Sequence, residues 1–220
     1  ILLHKILRRK MSRKILVTFG DSCTYGHGLK DCLAADGFNP GKKPSKFAWP
    51  TLLASKMNYD LANLGIPGAS NKEILHKVMN TKLPNNAVVI MGWSLFNRTC
   101  IIKKHSVEQI GVWQDSKASK SYFKHMYDDY DMHMDFYLRA NFIKNYLDRL
   151  GIENYHWRLE TTLEHEKPTW NNVQFFDFEY HKVKKKYPLA LDNLHPGPEA
   201  HKELAETFEE LITRTRSSVG

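Results

Sequence analysis

Cysteine is scarce in this chain: Cys23, Cys32 and Cys100 are the only three among 220 residues. An odd, widely spaced set gives neither a disulfide framework nor a metal-ligand spacing, which fits a reducing compartment, and a cytoplasmic location is expected. No apolar run approaches the roughly 18 residues that a bilayer-spanning helix requires, so no membrane span is expected. Internal repeats and low-complexity tracts are also missing, which excludes repeat architectures. The formal charge is +8, yet no aromatic platform is interleaved with the basic residues and no nucleic-acid module is present. The basic runs, at residues 5–14 and at Lys182-Val183-Lys184-Lys185-Lys186, therefore read as solvated faces, and no nucleic acid is expected as a partner.

What the chain does have is an ordinary balance, 42% hydrophobic and 25% charged residues, enough for one domain with a real core. Residues 1–12 read as a flexible basic extension, because Lys5 breaks the apolar start too early for a secretory core and no small-residue cleavage site follows. Residues 13–216 read as a single domain.

Short apolar, β-branched runs alternate with helical spacing along this domain. Lys14-Ile15-Leu16-Val17-Thr18-Phe19 reads as a buried strand, Tyr59 to Leu64 as a short second one, and Ala87-Val88-Val89-Ile90-Met91 as the cleanest. Asn154–Leu159 and Val173–Phe178 add two more. Between them the spacing predicts helices over 47–57, over 71–81 with Ser70 and Glu73 at capping-box spacing, over 131–150 ended by Gly151, and from Pro198 through Ile212. Residues 99–130 are poorly periodic and are expected to form an irregular insertion beside a substrate cleft. Strands alternating with helices predict an α/β fold, a mostly parallel sheet covered on both faces.

The candidate chemistry lies at the two ends. Gly20-Asp21-Ser22-Cys23-Thr24-Tyr25-Gly26 follows the first strand, where open α/β sheets place their ligands. A serine hydroxyl is a poor nucleophile unless a base and a group that orients the base lie within reach. Asp192-Asn193-Leu194-His195 supplies such a pair immediately before the last helix, at a spacing that lets carboxylate and imidazole meet locally. The bland reading of the first stretch is a turn in which Asp21 and Ser22 only satisfy backbone groups.

Together these segments resemble the SGNH, or GDSL-type, hydrolases. Gly20–Gly26 is similar to their first block. Asn63-Leu64-Gly65-Ile66-Pro67-Gly68-Ala69-Ser70-Asn71 is similar to the second, and Asp192-Asn193-Leu194-His195-Pro196 to the last. The resemblance implies a three-layer α/β/α sandwich with a flavodoxin-like sheet. It implies Ser22 as nucleophile, His195 as base and Asp192 as its orienting acid, with the N–H groups of Ser22 and Gly68 in an oxyanion hole. It implies no metal and no cofactor. The third block departs from the family pattern: Gly92-Trp93-Ser94-Leu95-Phe96-Asn97-Arg98 stands where Gly-x-Asn-Asp is usual. Ser94 takes the place of that Asn, so Ser94 or Asn97 is expected to donate to the oxyanion. Asp21, Trp93 and Arg98 are candidates for substrate contact, against packing for Trp93 and pairing with a carboxylate for Arg98. The implied activity is hydrolysis of carboxylic esters, with a short acyl group on a sugar or other polar alcohol as the expected substrate. The alternatives are a lipase- or thioesterase-type hydrolase and a catalytically weak carbohydrate-binding module on the same fold.

Overall fold

The computed structural model describes residues 13–160 and 167–219; the basic extension expected at 1–12 lies outside them. In chain order the elements are β1 (Ile15–Phe19), α1 (Ser22–Tyr25), α2 (Trp49–Lys56), β2 (Asp60–Asn63), α3 (Asn71–Met79), β3 (Ala87–Trp93), β4 (Arg98–Ile102), β5 (Val107–Gly111), α4 (Lys117–His125), α5 (Asp129–Arg149), β6 (Glu153–Arg158), α6 (Tyr180–Lys186) and α7 (Pro198–Val219).

The central sheet has the order β2-β1-β3-β6 and every pairing in it is parallel. Such a sheet must be covered on both faces, and side-chain alternation along β1 and β3 decides what covers each. Leu16, Val88 and Ile90 point to one side and pack with Trp49 and Leu53 of α2 and with Leu204, Phe208 and Ile212 of α7. Val17, Phe19, Val89, Met91 and Trp93 point to the other. There they meet Ile74 and Val78 of α3 and Phe136, Ala140, Ile143 and Leu147 of α5. The apolar spacings of four, three and four residues in α5 form the stripe that an α-helix buries. Helix–sheet–helix is the three-layer sandwich that the sequence implies.

Two local expectations are corrected. Residues 99–130 are not irregular: β4 and β5 form an antiparallel hairpin in the register Arg98↔Gly111 to Ile102↔Val107, and α4 follows. The hairpin leaves no turn signal in the sequence, since its loop, 103–106, carries no glycine, proline or asparagine. Val173–Phe178 does not become a full strand; Phe175 makes a single parallel bridge to His156 at the sheet edge. The basic run at 182–186 belongs to α6, which buries Tyr180 and Val183 and leaves Lys182, Lys185 and Lys186 exposed, in keeping with the solvated face read from the sequence.

Candidate functional site

The loops after β1, β2 and β3 converge at the C-terminal end of the sheet, and glycines set how closely they approach. A Cβ on Gly20 would lie 2.2 Å from Thr24 Oγ1, and one on Gly65 would lie 2.8 Å from the Tyr25 nitrogen. The Ile66 N–H donates to the Gly20 carbonyl at 2.9 Å, and Asn63 Nδ2 donates to the Thr24 carbonyl at 2.8 Å. Gly68, with φ +76°, is thereby tied to the same cluster, and the Gln109 side chain from β5 lies over it. Gln109 Nε2 donates to the Pro67 carbonyl at 3.0 Å and to Glu73 Oε2 at 2.9 Å.

Ser22 is the first residue of α1 and is buried. Asp21 caps this turn, its Oδ1 accepting from the Cys23 N–H at 2.9 Å. Cys23, following the serine, packs in the core and meets the Tyr180 hydroxyl at 2.9 Å. The Ser22 hydroxyl itself makes no hydrogen bond among the described residues.

The other end of the chain arrives beside this turn. The Leu191 N–H donates to the Gly28 carbonyl at 3.0 Å, and Leu189 and Pro196 form an antiparallel bridge that closes the 189–196 loop. Inside that loop Asp192 Oδ1 accepts from the N–H groups of Leu194 (3.0 Å) and His195 (3.1 Å), while Oδ2 receives His195 Nδ1 at 2.6 Å. Burial alone would raise the Asp192 carboxyl, but these donors outweigh it and hold the group below its ordinary range. Burial also lowers His195; the hydrogen bond and charge of Asp192 oppose this only in part, and the ring sits below the usual imidazole value. At neutral pH this gives a neutral imidazole with its Nδ1 proton directed at a carboxylate, which leaves Nε2 to take a proton.

Gly28, with φ +85°, makes this approach possible, since a Cβ there would lie 2.5 Å from Asp192 Oδ2. Changing Gly28→Ala should push the carboxylate off its partner and, under the ester hydrolysis that the sequence resemblance implies, lower turnover by about 10²-fold, the effect of an ångström-scale misplacement. Steady-state kinetics on the folded variant check this.

The third block is laid out differently from the expectation. The Ser94 hydroxyl donates to Asp21 Oδ2 at 2.9 Å and accepts from Arg98 Nη1 at 2.9 Å, and the residue is fully buried. Its proton is committed to a carboxylate, so in this arrangement it does not point at an oxyanion. Arg98 Nη1 also donates to Asp21 Oδ2 at 2.9 Å, and its guanidinium stacks on Trp113. Asp21 and Arg98 thus pair with each other, the carboxylate-pairing alternative read from the sequence. Trp93 is fully buried, donates its indole N–H to His156 Nδ1 at 3.1 Å and packs on Phe136, so it is a core residue rather than a substrate contact. Asn97 lies in the turn between β3 and β4, its buried Oδ1 without a partner.

Two residues of this neighbourhood had no sequence signal. Gln109 lies in the hairpin that the periodicity missed. His27, one of 11 histidines, places its ring 4.5 Å from that of His195 and its Nε2 4.0 Å from Asp192 Oδ2.

No protein-family model matches the chain, and no curated protein matches it. Solved structures do. A protein described as lipolytic, of the G-D-S-L family, from Desulfitobacterium hafniense is 13% identical, with a TM-score of 0.53 over 90% of this chain and 98% of its own. An acetyl xylan esterase from the rumen bacterium Butyrivibrio proteoclasticus gives 11% identity and a TM-score of 0.56, over 94% of this chain and 65% of its own. A mutant of the acetyl-xylooligosaccharide esterase Axe2 from Geobacillus stearothermophilus gives 17% and 0.51, over 90% and 93%. The chain therefore has the α/β/α fold of the SGNH hydrolases, as the sequence resemblance implies. Among the described residues no helix is long and apolar enough to cross a membrane.

Proposed function

We propose that this chain is a serine-dependent carboxylic ester hydrolase. The observation that carries the reading is the 2.6 Å contact between His195 Nδ1 and Asp192 Oδ2, tied through Leu191 and Gly28 to the loop that follows Ser22. In this reading Ser22 Oγ attacks the acyl carbonyl and His195 Nε2 takes its proton. The N–H groups of Ser22 and Gly68 stabilise the tetrahedral oxyanion, with Asn97 as the side-chain donor now that the Ser94 proton is engaged. Collapse expels the alcohol, protonated by His195, and leaves an acyl-serine. Water, deprotonated by the same imidazole, then releases the acid. The open contact at the Ser22 hydroxyl is compatible with this order, because nucleophile–base hydrogen bonds are often loose before substrate binds.

A short acyl group on a sugar or other polar alcohol is the substrate class we infer. Two of the structures similar to this chain are of acetyl xylan and acetyl-xylooligosaccharide esterases, and that supports the class without fixing the sugar. One observation favours the lipase-type alternative: Leu191 and Leu194, flanking Asp192, are 65% and 54% exposed and offer an apolar surface at the site. Rates on p-nitrophenyl esters of increasing acyl length separate the two. Preference for acetate is expected, and preference for long chains would overturn the choice. On the best ester of the series, Ser22→Ala should reduce turnover by at least about 10³-fold with an unchanged melting temperature; retained turnover would refute the assignment.

A further inference from the structure

The reaction proposed above leaves one residue of the site without work. His27 is directed at the Asp192–His195 pair, with its side chain only 13% exposed, yet no step requires a second imidazole. One atom from each of His27, Asp192 and His195 lies within 4.8 Å of the others. Two imidazole nitrogens and one carboxylate oxygen are a common protein ligand set for Zn²⁺, which leaves a fourth position for water.

The spacing can be compared with what a metal demands. Ligand atoms about 2.0–2.1 Å from a tetrahedral zinc lie about 3.3 Å from one another. Asp192 Oδ2 is now 2.6 Å from His195 Nδ1 and 4.0 Å from His27 Nε2. Opening the first contact and closing the second by about 0.7 Å each reaches that separation. The carboxylate is held ready for this by the Leu194 and His195 N–H groups on its other oxygen, and the Leu191–Gly28 hydrogen bond keeps the two loops together. His27 Nε2, 2.9 Å from the Phe38 carbonyl, would exchange that hydrogen bond for the metal. The proton now between Asp192 and His195 would be displaced, since a metal-bound imidazole nitrogen carries none.

We propose that His27, Asp192 and His195 form a Zn²⁺-binding site in which the cation inhibits the enzyme reversibly. The binding claim stands on the geometry alone, whereas the inhibition claim rests on the esterase reading. Bound zinc would hold His195 by the nitrogen that Asp192 now orients, so that the pair no longer serves Ser22.

Equilibrium dialysis against ZnCl₂ with metal analysis tests the binding claim on the full chain. One Zn²⁺ per chain is expected, with binding weakened at least tenfold in both His27→Gln and His195→Gln, each confirmed as folded by circular dichroism. Zinc binding that is unchanged in His27→Gln, or no binding by the wild type, would overturn the site. Ester hydrolysis then tests inhibition. Zinc should inhibit the wild type and a chelator should restore it, while His27→Gln keeps its turnover within twofold and needs at least tenfold more zinc for the same inhibition. Equal sensitivity of the two proteins would overturn the inhibition claim. If no ester is turned over, the dialysis result still decides the site, and only the esterase reading falls.

Discussion

His195→Ala should lower kcat/KM for a short-chain ester by about 10³-fold or more, and Asp192→Asn by about 10³–10⁴-fold, with both proteins folded. The two losses have different causes. In the proposed mechanism His195 is the base, so its loss removes the group that takes the Ser22 proton. Without the Asp192 carboxylate the ring loses its 2.6 Å acceptor and the charge that supports an imidazolium. The pH profile separates them further. The base must be unprotonated to act, so kcat/KM rises with pH through the His195 pKa of the free enzyme. Burial places that pKa below the ordinary 6.5, so the wild-type acid limb should have its midpoint below 6.5. Asp192 raises the His195 pKa, so Asp192→Asn should move the remaining limb to still lower pH. Rate measurements between pH 4 and 8 check both; a wild-type midpoint above 6.5 would contradict the stated environment of His195.

The second large effect is on stability in mild acid. His156 and His201 are fully desolvated, and their pKa values are pushed down from 6.5 to about 3. Each is fixed as a neutral acceptor: His156 Nδ1 receives the Trp93 indole N–H and His201 Nδ1 receives the Trp49 backbone N–H, both at 3.1 Å. In the unfolded chain both rings take a proton below about pH 6.5, while in the folded chain they do not. Their contribution is therefore complete above 6.5 and is lost as pH falls from there towards 3. At pH 5 the loss is about 2 kcal/mol per ring, or about 4 kcal/mol together. That is a large part of the 5–15 kcal/mol typical of a domain. Urea unfolding at pH 7.5 and pH 5.0 should show this drop, and His156→Phe or His201→Phe, where it folds, should remove about half of it. A stability independent of pH over this interval would contradict the buried neutral state of the two rings.

The parts of the molecule legible in the sequence are those in which a local pattern and its physical cause coincide. The run Ile15–Phe19 ending at Gly20 marked β1 and the turn of Ser22, because β-branched residues followed by a glycine have few alternatives. Asp192 and His195 could be paired in advance because three residues of loop suffice to bring them together. What the sequence hid depends on contacts between distant segments. Arg98 bonding to both Ser94 and Asp21 is decided by the hairpin that starts at Arg98, and no periodicity announced that hairpin. Trp93 turned out to be core because β3 is buried along its whole length. His27 was one histidine among many until Gly28 and Leu191 joined the two loops.

The central claim is that Ser22 becomes covalently acylated with the help of His195, and phosphonylation tests it most directly. A p-nitrophenyl phosphonate, reacted with the protein and followed by peptide mass spectrometry, should leave one phosphonyl group on the peptide containing Ser22. The label should be absent from Ser22→Ala and slowed by orders of magnitude in His195→Ala. Modification of another residue, or none while ester hydrolysis proceeds, would contradict the account.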